Sequence, residues 1–512
     1  MKSGKRRKNG NSIIRAGFVA LSLLLQIGWL LLLICKLNQY STYIALLTNL
    51  IAAVAVLRLY SRRINSAYKM PWIMVIMALP VMGLSLYLLN EASLTPKSVR
   101  KKLEQIRAET GICLNQSPDV MGALQGQDPA AANQCRYLWN QDGSAVYGNT
   151  RADYFGEAVD AFQAMKEALE QAERFIFMEY FIVEDRESFD EIRRILIRKA
   201  SEGVEVRLLY DDVGSIGTAN LRFARELNRQ GIHCQVFNPA LPFLNLFLNN
   251  RDHRKITVID GKVGFTGGYN LADEYFGVTK PYGHWKDTGI RLEGEAVKSL
   301  TATFLELWNV TTRTKEDPGK YLQITHSVPA PGYVQPFGES PLDDEPVAEN
   351  VFLNLLSHAR EYIWFMTPYL IITDELSRAM VLAAKRGVDV RIITPGIPDK
   401  KTVYAVTRSY YAGLASQGVR IFEYAPGFCH GKQCVCDGEI ACIGTSNLDY
   451  RSLYLHFENN VLLLNCPAVK AMEQDFQEMF PVCREVTEEY RTGRRGILRI
   501  WQCILRLFAP ML

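Results

Sequence analysis

The chain writes one chemical frame twice: His253-Arg-Lys255, four residues, Asp260, and later His430-Gly-Lys432, four residues, Asp437. Only 7 histidines occur in 512 residues, so two of them in one spaced frame constrain the fold strongly. Each frame runs into a Gly-rich stretch ending in Asn, Gly267-Gly-Tyr-Asn270 and Gly444-Thr-Ser-Asn447. A chain that repeats His, Lys and Asn in this order folds as two similar units. The repeat implies one reaction centre assembled from two half-sites.

The local structure follows from the turn chemistry. In both copies the Asp precedes a Gly, and Asp-Gly between β-rich runs signals a tight hairpin. The hairpins join Lys255–Ile259 to Lys262–Thr266, and Lys432–Cys436 to Glu439–Ile443. Two-residue turns would set His253 opposite Gly268 and His430 opposite Thr445. Side chains two apart share a face of a strand, so His253 projects with Lys255 and His430 with Lys432. Asp260 and Asp437 sit at the turns, away from that face, which suits a structural role.

Flanking pieces repeat as well. Arg174–Phe181 resembles Glu361–Tyr369, a helical stretch follows each, and Gly203–Leu209 then matches Gly387–Ile393. Strand, helix, strand, used twice, is the order of an α/β fold with parallel pairing. The expectation is two α/β lobes, 149–327 and 347–490, related by a pseudo-twofold axis. A membrane module (1–92) and a connecting segment (93–148) precede them. A linker rich in Pro, Gly and acidic residues (328–346) separates them, and a basic amphipathic tail (491–512) follows.

The repeated residues suit chemistry at phosphorus. A neutral imidazole is a competent nucleophile, and a second one can protonate a leaving alkoxide. Lys255, Lys432, Asn270 and Asn447 offer donors to the oxygens on which charge builds. Each imidazole also needs a carboxylate to fix its tautomer. The candidates are Asp287, 34 residues after His253, and Glu458, 28 residues after His430. Four of the 11 cysteines, Cys429, Cys434, Cys436 and Cys442, crowd the second frame. No Cys-x-x-Cys pair occurs and the first frame has no Cys at matching positions, so buried thiols are expected rather than zinc ligands.

On these residues the chain resembles the phospholipase D superfamily and, within it, the bacterial cardiolipin synthases. Thr266-Gly-Gly-Tyr-Asn270, Trp285-Lys-Asp287, Thr367-Pro-Tyr-Leu370 and Gly444–Ser452 carry the likeness beside the two frames. The resemblance implies transfer of a phosphatidyl group from one phosphatidylglycerol to another, giving cardiolipin and glycerol. It implies a phosphohistidine intermediate with no metal and no cofactor. His253 would be the nucleophile and His430 the general acid, and Asp260 and Asp437 count among the catalytic motif residues. The superfamily's Gly-Ser-x-Asn has Gly268 and Thr445 at its Ser position here, which leaves no Ser hydroxyl to assist. A phospholipase-type hydrolase would use the same motifs, and nucleases share the superfamily.

Charge and hydropathy separate these classes. Residues 1–101 hold 14 Lys and Arg against Glu91 alone, and residues 491–512 hold five Arg and no acid. A chain of net charge +4 therefore leaves −14 for residues 102–490, which argues against a nucleic-acid partner. Ala16–Cys35 is an uncharged run of 20 residues, long enough to cross a hydrocarbon core of ~30 Å. Ser41–Leu57 and Met70–Leu89 are further candidate spans. The expected setting is the plasma membrane of a bacterium, multi-pass, with phospholipid and bilayer as partners. Basic residues before the first span and in Arg58–Lys69 favour the cytoplasm for both. Three spans would then put the body outside, whereas two would keep its cysteines in the reducing interior. In the tail, Arg495, Arg499 and Arg506 share one helical face opposite Ile497, Trp501, Ile504 and Phe508, a pattern suited to an anionic bilayer.

Overall fold

Strands that read as continuous apolar runs rather than alternating ones are buried on both faces, and the two central strands of this protein show it. In Phe175–Tyr180, Ile176, Met178 and Tyr180 enter one core while Phe175 and Phe177 enter another. In Tyr362–Met366, Ile363 and Phe365 face one side while Trp364 and Met366 face the other. The computed structural model describes residues 42–62, 64–92, 97–219, 221–239, 250–314, 316–343 and 345–491, with residues 24, 27, 28, 31, 505–507 and 509.

The first lobe's sheet has seven strands: β1 (Thr150–Phe155), β2 (Phe175–Tyr180), β3 (Glu205–Asp211), β4 (His233–Phe237), β5 (Lys255–Ile259), β6 (Val263–Gly267) and β7 (Gly289–Gly294). Their order across the sheet is β1-β7-β6-β5-β2-β3-β4. The second lobe supplies β8 (Tyr333–Glu339), β9 (Tyr362–Met366), β10 (Asp389–Pro395), β11 (Arg420–Tyr424), β12 (Gln433–Cys436), β13 (Ile440–Gly444), β14 (His456–Leu464) and β15 (Cys483–Glu485). Their order is β8-β14-β13-β12-β9-β10-β11-β15, the first arrangement repeated with one strand added. In both lobes three neighbouring strands run parallel and the rest are antiparallel. Phe177, Ile256, Leu292 and Leu305 of one lobe share a single buried core with Trp364, Val435, Ile443 and Leu463 of the other. The lobes therefore pack as one body, with an outer core on each far side.

Several segments differ from the sequence expectation. The presumed linker 328–346 contains β8, a fully buried strand of the second lobe. Its Pro336 is tolerated because β8 is an edge strand, paired along its length with β14 and bridged on the other side at Tyr147–Val334. The connecting segment 93–148 holds helices Lys97–Gly111, Pro118–Gln127 and Pro129–Asp142, and Leu124, Ala132 and Leu138 enter the second lobe's core. Arg107 ties the segment to the body through Glu306 at 3.3 Å and Asp343 at 3.0 Å.

Among the described residues no helix is long and apolar enough to cross a membrane. Apart from residues 24, 27, 28 and 31, the first candidate span lies outside the described residues. The second falls on α1 (Thr42–Ser61), and the third is two helices, α2 (Ser66–Ala78) and α3 (Pro80–Ala92). These double back at Leu79, so closely that a Cβ on Gly83 would stand 2.6 Å from the Cα of Ile76. Thirteen residues make ~20 Å of helix, short of a ~30 Å core. Pro80 causes the break, because proline removes a helical hydrogen bond and restricts the residue before it. Of the tail, Arg506 lies over the Tyr410 ring at 4.2 Å and near Asp374.

Candidate active site

The site is built where a strand from each lobe crosses into the other. Lys255 begins β5 in its own sheet, but the residues just before it leave that sheet. Arg251 and Asp252 pair in parallel with His456 and Phe457, the start of β14, and the His253 amide donates to the Phe457 carbonyl at 2.9 Å. The second half does the converse. His284–Lys286 of the first lobe pairs with Gly427–Cys429, and the His430 amide donates to the Lys286 carbonyl at 2.6 Å.

This crossing exchanges the carboxylates. Glu458 is one residue beyond Phe457, and both its oxygens lie 2.8 to 2.9 Å from His253 Nδ1. Asp287 is one residue beyond Lys286, and its Oδ2 lies 2.6 Å from His430 Nδ1. Sequence spacing had assigned each carboxylate to the histidine of its own half. In the fold each serves the other half, so neither half-site is complete alone. The Asp287 Oδ1 accepts the Thr288 amide at 2.9 Å, and the Glu458 Oε2 accepts the Thr445 hydroxyl at 2.6 Å. Gly268, the counterpart of Thr445, has to lack a side chain: a Cβ there would stand 2.0 Å from Asp287 Oδ1. The Thr445 hydroxyl, discounted from the sequence, supports a carboxylate after all.

The hairpin expectation needs one correction. Ile259 pairs with Val263 and Cys436 with Ile440, so three residues rather than two separate the strands, and His253 pairs with the other lobe instead of lying opposite Gly268. Asp260 and Asp437 adopt left-handed backbone with φ of 54° and 51°. Their carboxylates each cap three amides, of Glu173, Arg174 and Phe175 and of Arg360, Glu361 and Tyr362. Asp tolerates that backbone and fixes the hairpin to the start of the central strand. The two aspartates touch no reacting group.

The asparagines behave differently from the expectation. Asn270 accepts the Ile182 amide at 3.0 Å and donates to the Tyr275 hydroxyl at 2.8 Å, so its amide is occupied in holding the wall. Asn447 is buried, its Oδ1 has no hydrogen-bond partner among the described residues, and its amide serves Asp449. Two residues were missed. Asn459 bridges the lobes, accepting the Lys255 amide and donating to the Thr266 hydroxyl at 2.8 Å. His456 stacks obliquely beside His253, ring centres 5.6 Å apart. Their adjacency to Glu458 in His456-Phe-Glu-Asn-Asn460 was the available signal.

Burial sets the protonation states. It holds His253 well below the usual imidazole range and His430 at about 4, so both rings are neutral at pH 7. It also draws Lys255 down to about 7 and Lys432 to about 8. Lys432 Nζ lies 3.0 Å from His430 Nε2, within reach of any group bonded there. Burial pushes Glu458 up to about 8. For Asp287 the same burial is outweighed by His430 and Lys432, and its carboxyl stays below the usual range.

Among the described residues, two side-chain groups have the spacing to hold a metal ion: His253, His456 and Glu458, and separately Asp128, His358 and Glu439. Near the first group stand Lys255, Arg251 and Arg451, and Arg251 is itself paired with buried Asp211 at 3.3 Å. The cysteines do not converge on His430. Cys434, Cys436 and Cys442 face the outer core and Cys429 the inner one.

Comparison with known proteins agrees with this architecture. The family described as "Cardiolipin synthase, PLD-like domain" matches residues 165–308 and 352–480, and "Phospholipase_D-nuclease N-terminal" matches 48–89. The chain belongs to the phospholipase D-like cardiolipin synthase family. It is an enzyme of the phospholipase D superfamily. A cardiolipin synthase of Halalkalibacterium halodurans is 34% identical over 86% of this chain and 88% of its own. Cardiolipin synthase 2 of Bacillus anthracis is 40% identical over 69% of each. An uncharacterized Streptococcus mutans protein is 38% identical over 90% of this chain and 99% of its own. The crystal structure of phosphatidylserine synthase from Haemophilus influenzae shares the fold, with a TM-score of 0.56 at 13% identity over 74% of this chain and 99% of that one.

Proposed function

We propose that the enzyme transfers a phosphatidyl group from one phosphatidylglycerol to the headgroup of another, forming cardiolipin and releasing glycerol. The observation that carries this reading is the exchange of carboxylates between lobes. It leaves two neutral imidazoles, each held at Nδ1 by a buried carboxylate, with Nε2 available for one phosphorus. One ring attacks phosphorus and the other protonates the departing glycerol oxygen. The phosphohistidine is then opened by the hydroxyl of the incoming lipid. Lys255 and Lys432 meet the equatorial oxygens, and their cost of burial is recovered when a phosphate is present. Asp287 and Glu458 orient the rings, Asn270 and Asn447 hold the walls around them, and Asp260 and Asp437 fix the hairpins.

The bilayer is the second partner in this reading. Leu46, Leu50, Val54 and Leu57 of α1 and Met70, Met74 and Met77 of α2 are exposed, an apolar surface suited to lipid. We place the first 92 residues in or on the bacterial plasma membrane and the catalytic body at 97–490. The test uses the purified chain in vesicles containing labelled phosphatidylglycerol. Equal release of glycerol and diphosphatidyl product, abolished by His253→Ala and by His430→Ala, is expected. Phosphatidic acid as the main product would replace this reading with hydrolysis.

A further inference from the structure

The hairpin that follows His430 meets a second cluster of side chains, at the opposite end of β12 from that ring. Three donors from distant parts of the chain converge there. Asp128 precedes the helix Pro129–Asp142, His358 ends the helix Val347–His358, and Glu439 lies just past the Asp437-Gly438 turn. One donor atom of each lies within 4.8 Å of the other two, and all three residues are half-buried.

The first lobe separates what the scaffold needs from what this cluster adds. Asp260 and Asp437 cap matching amides, so Gln171 and Lys262 stand where the second lobe has His358 and Glu439. An ion pair at the turn is common to both lobes with its signs exchanged: Lys262 pairs with Glu173 at 3.8 Å, and Glu439 pairs with Arg360. The imidazole of His358 and the carboxylate of Asp128 are therefore surplus to the hairpin.

Both surplus groups present an open atom. Asp128 Oδ1 accepts the amides of Ala130 and Ala131 at 3.0 and 2.9 Å, which leaves Oδ2 turned to His358 Nε2 at 3.8 Å. That separation is too long for a hydrogen bond, and the buried Nε2 has no hydrogen-bond partner among the described residues. Two ligands that share one ion stand roughly 3.4–4.2 Å apart, so the separation suits an ion between them. Beside His358 opens a cavity of about 330 Å³, lined also by Asn133, Gln134 and Asn354. Gln134 is 7% exposed; its Oε1 accepts from Asn354 at 2.6 Å, and its amide nitrogen has no partner among the described residues. A buried donor facing a polar cavity marks a place for an oxygen, such as the water or small anion that completes an ion's shell.

The charges agree. Asp128, Asp437 and Glu439 all act on one guanidinium, Arg360, which leaves two negative charges uncompensated. Lys470 and Glu473 beside Gly438 pair with each other at 3.0 Å and add none. Arg360 itself is 62% exposed, and an exposed ion pair is readily given up.

We propose that Asp128, His358 and Glu439 form a divalent-cation site that braces the connecting segment against the second hairpin. One imidazole and two carboxylates suit an intermediate first-row ion of the Mn²⁺ kind. The ion takes no part in phosphatidyl transfer, and the site stands whether or not that reading holds. Its ligands come together only in the folded chain, so binding stabilises the fold by mass action. It would add to Arg107 a second tie between the body and the segment that follows the first 92 residues.

The test titrates the full chain, stripped with chelator and exchanged into clean buffer, with Mn²⁺ alone. Mn²⁺ is chosen because the buried thiols are poor ligands for it. Free and bound ion are counted by electron paramagnetic resonance, and Tm is followed in parallel. The wild-type chain should bind one ion and gain in Tm. His358→Leu and Glu439→Gln should each weaken binding by about tenfold or more and abolish the gain. His253→Ala should bind as the wild type does. Failure of the wild-type chain to bind, or undiminished binding by both cluster variants, overturns the site. Loss of the ion in His253→Ala also overturns it, and moves the ion to His253, His456 and Glu458.

Discussion

The surroundings of His253 and His430 make the sharpest contrast in the molecule. Both rings follow a short strand paired with the other lobe, precede the same kind of hairpin, and lie against a carboxylate of the opposite lobe. Yet the His430 ring is flanked by Tyr275, Trp285 and Phe428, and the His253 ring by Phe181 and His456. A duplicated scaffold supplies two equivalent rings, and residues outside the repeated frame give them different work. The same contrast runs through the supports: Asp287 leaves no room for a side chain at position 268, while Glu458 is held by the Thr445 hydroxyl.

That contrast can be broken or sharpened by substitution. The largest effect is expected at the rings, where His253→Ala and His430→Ala each lower cardiolipin formation by about 10³-fold or more. Next come the carboxylates, which should respond unequally. Asp287→Asn removes the charge that fixes the His430 tautomer and should cost about 10³-fold. Glu458→Gln replaces a carboxyl already held near neutrality and should cost only about tenfold, read as the initial rate in the same vesicles. Equal losses would mean that the half-sites share one protonation pattern.

Acidity gives an intermediate effect. Lys255 is protonated below about 7 and Lys432 below about 8, so the cationic cradle is present at lower pH and lost as pH rises through those values. The KM for phosphatidylglycerol should therefore rise above about pH 8, while the His430 ring is not protonated until about pH 4. A pH–rate profile with its plateau wholly above pH 9 would contradict this. Smaller still, Gly268→Ser should lower Tm and activity by displacing Asp287, an overpacking cost of about 1–3 kcal/mol, whereas Thr445→Ala loses one hydrogen bond, about 1 kcal/mol. The smallest change in rate is expected for Asp260→Asn, which should act on stability by about 1–2 kcal/mol through its three capped amides.

The pieces legible in the chain were those whose signals are local. Asp-Gly turns between β-rich runs marked both hairpins, and two-sided apolar runs marked both central strands. A Pro-, Gly- and acid-rich composition misled at 328–346, because an edge strand tolerates Pro336 that a central strand would reject. The apolar run Met70–Leu89 misled similarly, since hydropathy does not report the reversal at Leu79 that Pro80 and Gly83 permit.

By itself the sequence determined that there are two matching halves, that each offers His and Lys on one strand face, and that carboxylates lie downstream of both. Only the tertiary structure decided which carboxylate serves which ring. Glu458 is 205 residues from His253, and Asp287 is 143 from His430. The choice comes from two short parallel pairings between lobes, and no local propensity along the chain encodes them. The unequal walls of the site have the same origin, because His456 and Trp285 acquire their places only once those strands have crossed.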